Sequence, residues 1–148
     1  MKQASYGSWE SPITADLIIA KTISLVEIAA SGGDIYWIES RPNESGRYVI
    51  MRRAADGAIT ECTPPDFYAR TTVHEYGGGA FMVEDGVIYF SNFTDHHLYR
   101  QPVGGQPQVL TLADGYYYAD LILDKQRNRI ICIREDHTES NHEAVNTV

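Results

Sequence analysis

Short runs of alternating apolar and polar residues dominate the chain, and turn-forming residues separate them. After about position 25 the 3.6-residue period of an amphipathic helix is absent, and clusters of Gly, Pro, Asp and Asn recur at short intervals. This pattern predicts a series of β-strands. The predicted strands are 25–29, 35–40, 47–53, 58–63, 80–84, 87–92, 97–101, 107–111, 119–123 and 129–135.

The predicted strands form groups that repeat along the chain. I-Y-W at 35–37 corresponds to I-Y-F at 88–90 in the second group and to I-C-I at 131–133 in the third. A four-stranded antiparallel unit that recurs about every 40 to 50 residues is typical of a β-propeller blade. We therefore predict an all-β fold made of propeller blades.

The repeat divides the chain into about two and a half blades after an N-terminal segment. We assign residues 1–24 to that segment, 25–65 to the first blade, 66–112 to the second and 113–148 to an incomplete third. Thr14 can cap a short helix in the N-terminal segment, and A-V-N-T-V at 144–148 is expected to begin a third strand of the last blade. Because propellers typically close with about 4 to 8 blades, we expect a piece of a larger protein, or a protomer completed by another chain.

The charge of the chain argues against two kinds of partner, nucleic acids and anionic membranes. The formal net charge is −8 at pH 7, whereas nucleic-acid binding requires dense positive charge, so we expect no nucleic-acid partner and no anionic membrane surface. No apolar run approaches the roughly 18 residues of a membrane span, and residues 1–9 lack the apolar core of a signal peptide. We predict a cytoplasmic location, with Cys62 and Cys132 as reduced core residues.

One motif concentrates reactive side chains, V-H-E-Y-G-G-G at 73–79. A zinc-binding H-E-x-x-H helix needs a second histidine at position 78, where the chain has glycine, and three glycines oppose helix formation. A phosphate-binding loop needs Lys and Ser or Thr after its last glycine, but Ala and Phe follow here. The motif is predicted to be a junction between blades where glycines let backbones approach. His74, Glu75 and Tyr76 remain candidates for contact with a substrate or another domain.

Two other polar clusters are weaker candidates for chemistry. In D-H-H at 95–97, adjacent strand residues point to opposite faces and cannot easily share one ion, so a turn is the favoured interpretation. The stretch 136–143 is expected to be a solvated loop beyond a strand. We predict no metal site and no cofactor. The ten tyrosines suit packing between blades, since no basic groove accompanies them for nucleic-acid stacking.

Four segments taken in order resemble the N-terminal propeller of serine peptidases of the prolyl-oligopeptidase family. They are Y-G-S-W-E-S-P-I-T-A at 6–15, I-Y-W-I-E-S-R-P at 35–42, T-V-H-E-Y-G-G-G at 72–79 and I-Y-F-S-N-F at 88–93. The subgroup that the segments resemble most is described as dipeptidyl aminopeptidase-like or acylaminoacyl-peptidase-like. The resemblance covers nearly the whole chain.

The resemblance implies a non-catalytic role for these residues. In that family an α/β-hydrolase domain follows the propeller and carries the catalytic triad, with its serine in G-x-S-x-G. That motif does not occur in this sequence, so we assign no catalytic residue. The implied partner is a C-terminal hydrolase domain, and the implied role is to admit short peptides to it. The alternative hypothesis is a peptide-binding module that self-associates through its open blade edges.

Overall fold

The computed structural model describes residues 5–8, 11–14, 23–139 and 143–148 as an all-β arrangement of three antiparallel sheets. Two sheets have four strands each and the third has three, so the predicted all-β fold with part of a propeller is confirmed. The short helix predicted after Thr14 falls on residues 15–22, which lie outside the described residues.

Each sheet is built from strands that follow one another in the sequence. The first sheet contains β1 (Leu25–Ser31), β2 (Asp34–Arg41), β3 (Arg47–Arg53) and β4 (Ile59–Glu61), with a 3₁₀ turn at Pro42–Glu44. The second contains β5 (Phe81–Glu84), β6 (Val87–Ser91), β7 (Leu98–Pro102) and β8 (Gln108–Val109). The third contains β9 (Tyr116–Asp124), β10 (Arg129–Asp136) and β11 (Val145–Thr147). We call these sheets blade 1, blade 2 and blade 3.

The main core lies between blade 1 and blade 2. Alternation along β2 turns Tyr36 and Ile38 towards blade 2, where both side chains are at most 2% exposed. They join one apolar cluster with Ile88 and Phe90 of β6. A smaller cluster between blades 2 and 3 is formed by Leu98, Tyr118 and Leu121. Stacking against a neighbour therefore buries the face that a single small sheet would leave in water.

The first strands of the blades, β1, β5 and β9, lie side by side. A carboxylate of blade 1 joins the first junction, since Glu27 accepts a hydrogen bond from the backbone N–H of Ala80 at 3.2 Å. The backbone N–H of Asp120 donates to the carbonyl of Gly79 at 2.9 Å at the second junction. The end of the segment 62–80, which connects β4 to β5, is therefore fixed beside the first strands of all three blades.

Within the described residues, no helix has the length and apolar character needed to cross a membrane.

Candidate functional site

The V-H-E-Y-G-G-G motif forms a tight turn at the end of the segment 62–80. Val73 is fully buried and anchors it. The backbone N–H of Glu75 donates to the carbonyl of Thr72 at 2.9 Å, and that of Gly77 donates to the carbonyl of Val73 at 3.1 Å. The motif contains no helix, so the structure has no scaffold for an H-E-x-x-H zinc site.

Two consecutive residues of the turn have a left-handed backbone. The φ angle is 61° at His74 and 64° at Glu75. This conformation costs a residue with a side chain about 1–2 kcal/mol, and residues held in such a conformation cluster at binding and catalytic sites. The surrounding structure must hold the strained pair in place.

A buried carboxylate of blade 3 holds the strained pair. Glu135 of β10 is 5% exposed, and its Oε1 accepts the backbone N–H of His74 at 2.7 Å. The other carboxylate oxygen lies 3.0 Å from Nε2 of His137. The turn between blades 1 and 2 is thus anchored by blade 3, and charge-assisted hydrogen bonds of this kind are among the stronger ones in proteins.

The glycines allow a close approach that no other residue permits. A Cβ atom at Gly77 would lie 2.6 Å from the carbonyl oxygen of Thr71, and one at Gly79 would lie 2.7 Å from the backbone nitrogen of Asp120. Both glycines also have positive φ angles, of 73° and 60°. For Gly79 this geometry agrees with the predicted junction between blades, whereas Gly77 approaches Thr71 within the same connecting segment.

The side chains before the glycines are presented to solvent. Tyr76 is 92% exposed, and Glu75 is exposed beside it. The ring nitrogens of His74 lie 3.9 Å from the carboxylates of Asp120 and Glu135. The structure therefore brings the three predicted residues together on one turn and adds two carboxylates from blade 3.

A third carboxylate lies at the blade 1 side of the same junction. Burial raises the pKa of Glu27, against the opposing effect of hydrogen bonds from the backbone of Ala80 and Phe81. The charge of Asp120 raises this pKa further. The motif gave no signal for Glu27, Asp120 or Glu135, because each is distant in sequence and reaches the turn only through blade stacking.

Three rings stack beside this junction. The ring centroid of Tyr117 lies 3.7 Å from that of His96 and 4.1 Å from that of His137. Burial lowers the pKa of His96, partly offset by the charge of Asp95. A neutral imidazole suits this packed position between blades 2 and 3.

The D-H-H cluster is a turn, as predicted. Oδ1 of Asp95 accepts the backbone N–H of His97 at 3.0 Å, while the His97 ring contacts Thr111 and Asp114. The His96 ring points instead into the stack with Tyr117. Over the part of the chain that the structure describes, no three His, Cys, Asp or Glu side chains are grouped to hold a metal ion.

Comparison with known proteins supplies relatives among solved structures. No protein-family model matches the chain, and no curated protein matches it. Puromycin hydrolase matches with a TM-score of 0.79 and 32% identity over 93% of this chain and 23% of that chain. A mutant of puromycin hydrolase complexed with PGG matches with the same TM-score and identity, over 91% of this chain and 22% of that chain. A puromycin-hydrolyzing peptidase of Mycobacterium tuberculosis matches with a TM-score of 0.79 and 32% identity, over 90% of this chain and 22% of that chain.

The fold and the blade junction define part of a β-propeller, in which four-stranded sheets stack through their first strands. The chain belongs to the prolyl-oligopeptidase family of serine peptidases, as part of the propeller. It spans less than a quarter of the length of the relatives that it matches, at 23% and 22% of those chains.

Proposed function

We propose that the chain is the non-catalytic propeller part of a cytoplasmic peptidase that cleaves short peptides. The observation that carries the proposal is the match to puromycin hydrolase at 32% identity over 93% of this chain. The reaction would release an aminoacyl, dipeptidyl or acyl-aminoacyl group. An α/β-hydrolase domain outside these residues would supply the catalytic serine, because the 148-residue sequence contains no G-x-S-x-G motif.

In this proposal the propeller controls which substrates reach the serine. The first strands of the blades converge near the turn that carries His74, Glu75 and Tyr76. A strained, anchored turn with an exposed phenol and carboxylate is suited to contact a peptide or the hydrolase domain, because its position is fixed before binding. Short peptides would be admitted to the serine, and folded proteins would be excluded.

The test uses peptide p-nitroanilides and puromycin as substrates. The 148-residue chain should release no p-nitroaniline, whereas a polypeptide that contains this chain and a following hydrolase domain should turn over both kinds of substrate. A serine reagent should abolish that turnover. Turnover by the 148-residue chain itself would refute its non-catalytic role, and an inactive longer polypeptide would refute the peptidase assignment.

The exposed face of blade 1 favours a second candidate function. Register places Leu25, Ile28 and Ile59 on the face opposite the core, where they are 72%, 77% and 60% exposed. Ile122 of blade 3 is 65% exposed. Apolar faces of this kind mark interaction surfaces. Further blades would cover them in a peptidase, and a second copy would cover them in a self-associating peptide-binding module.

Light scattering at increasing concentration separates these candidates. A closed oligomer of fixed size supports the self-associating module. Open-ended aggregation that is reduced by Ile28→Lys supports an incomplete propeller, and a monodisperse monomer at high concentration contradicts association through these faces.

A further inference from the structure

Arg70 lies on the same connecting segment as the strained turn and is held by both adjacent blades. Its backbone N–H is shared between the carbonyls of Tyr68 at 2.9 Å and Ser91 at 3.1 Å. The preceding residue, Ala69, donates its N–H to the carbonyl of Tyr48 at 3.0 Å. Since Tyr48 belongs to β3 and Ser91 to β6, the base of the Arg70 side chain is fixed relative to blades 1 and 2.

Aromatic rings frame the guanidinium group of Arg70. Its central carbon lies 5.2 Å from the ring centroid of Tyr48 and 5.1 Å from that of Phe93. The Tyr68 ring lies beside both, with centroids 5.6 Å from Tyr48 and 4.9 Å from Phe93. A guanidinium held over ring faces keeps its N–H donors directed outwards in its own plane. We call Arg70 with these three rings the arginine clamp.

The arginine clamp holds a positive charge that the described residues do not neutralise. Among the described residues, three other partly buried arginines form ion pairs with carboxylates, whereas Arg134 lies over the Tyr116 ring and forms none. The pairs are Arg41–Glu39 at 2.8 Å, Arg47–Glu61 at 2.8 Å and Arg52–Asp34 at 2.6 Å. The Arg70 side chain instead donates one hydrogen bond, to the Tyr68 hydroxyl at 3.3 Å, and among the residues that the structure describes no carboxylate forms an ion pair with it.

We propose that the arginine clamp binds the C-terminal carboxylate of a short peptide. This proposal rests on the proposed function, and it names a chemical group that the substrate must carry. A guanidinium offers two parallel N–H donors that match the two oxygens of a carboxylate. The rings of Tyr48 and Phe93 restrict the guanidinium plane, so less side-chain freedom is lost when the carboxylate binds.

The surroundings of Arg70 favour a carboxylate over larger anions. A nucleic acid or a polyphosphate requires several cations, whereas the clamp provides one, and the chain as a whole is acidic. Arg70 is also four residues before His74 on the same segment, and both belong to the junction between blades 1 and 2. A peptide whose carboxylate is held at Arg70 can therefore extend towards the exposed side chains of the turn.

The experiment compares trialanine with a free C-terminal carboxylate and trialanine amide, both titrated into the 148-residue chain and followed by NMR. The free acid should bind about tenfold or more tightly than the amide, because a charge-assisted hydrogen bond is lost in the amide. Arg70→Gln should remove this preference, and Arg70→Lys should keep only part of it. Arg100→Gln, at an exposed arginine of β7, is the matched control and should leave the preference unchanged.

Three results would overturn the proposal: equal affinity for the acid and the amide, no binding of either peptide, or full preference retained in Arg70→Gln. If Arg70→Gln does not fold, the comparison of the two peptides on the unmodified chain still decides. The binding test is independent of turnover. An inactive longer polypeptide would remove the peptidase function and leave the carboxylate site in place, while a failed titration would remove only the site.

Discussion

Gly79→Ala is the sharpest test of the junction between blades 2 and 3. A Cβ atom at this position would lie 2.7 Å from the backbone nitrogen of Asp120 and 2.9 Å from the carboxylate carbon of the same residue. The nearest atom of the backbone cannot rotate away as a side chain can. Relief requires the segment just before β5 to move away from β9, and this movement stretches the 2.9 Å hydrogen bond from the Asp120 N–H to the Gly79 carbonyl.

The expected loss of unfolding free energy in Gly79→Ala has two parts, and a control variant separates them. A left-handed backbone costs alanine about 1–2 kcal/mol relative to glycine, and inserting a methyl group into a packed site costs about 1–3 kcal/mol more. Gly32 has a φ of 61°, against 60° for Gly79, and a Cβ there meets no atom within 4 Å. Gly32→Ala should therefore lower the free energy of unfolding by the first part alone, and Gly79→Ala by both, about 2–5 kcal/mol in total.

Urea unfolding followed by intrinsic tryptophan fluorescence measures this difference. With equal denaturant dependence, the midpoint of Gly79→Ala should fall well below that of Gly32→Ala, and both should fall below that of the unmodified chain. Equal midpoints for the two variants would refute the close approach of Gly79 to Asp120. The positive φ would then be the remaining physical reason for glycine in the last position of the motif.

Three further predictions concern groups that the blades bury. Glu135→Gln should speed chymotryptic cleavage after Tyr76, because the charged anchor of the turn is lost. The stability of the unmodified chain relative to Glu27→Gln should fall as pH rises above 4.5 through the raised pKa of Glu27, because the folded chain holds that proton more tightly than the unfolded chain; urea unfolding across pH measures it. Alkylation of Cys62 at pH 8 should be about a hundredfold slower than in the urea-unfolded chain, because burial raises its pKa to about 11; mass spectrometry measures the rate.

Each of these predictions has an internal control. Glu75→Gln changes an exposed carboxylate on the same turn and should leave cleavage after Tyr76 unchanged; equal acceleration in both variants would contradict the anchoring role of Glu135. A pH-independent difference between the unmodified chain and Glu27→Gln would contradict the raised pKa. For Cys62, intrinsic tryptophan fluorescence shows that the chain is folded during the reaction, and alkylation as fast as in urea would contradict its burial.

The strands were predictable from the sequence because local signals set their limits. Asp-Gly after Glu84 predicts the turn between β5 and β6, and alternation places β2 at 35–40, within one residue at each end of Asp34–Arg41. The predicted start of β9, at residue 119, was wrong. The tyrosines at 116–118, predicted as a packing cluster, form the first part of Tyr116–Asp124 by pairing with Arg134 to Asp136. A run of aromatic residues is compatible with a packing cluster and with a β-strand, and only the partner strand distinguishes the two.

The candidate site was predictable only in part, because its anchors come from other blades. Glu135 is 61 positions from His74 in the sequence, and its strand gives no local sign that its carboxylate is buried. The left-handed backbone at His74 and Glu75 was equally invisible, since both residues favour other conformations. The arginine clamp was missed for the same reason, because Tyr48, Arg70 and Phe93 meet only when blades 1 and 2 stack.

The motif at 73–79 therefore performs two separate tasks with two kinds of residue. Its last glycine, Gly79, lets the backbone at the start of blade 2 meet Asp120 of blade 3. Its polar residues occupy a strained turn that blade 3 helps to hold in place, through Glu135. Presentation of Tyr76 consequently depends on the stacking of a neighbouring blade, so a change that loosens the junction far from the turn should also disorder the turn. The turn is therefore expected to keep this conformation only while blade 3 is stacked beside it.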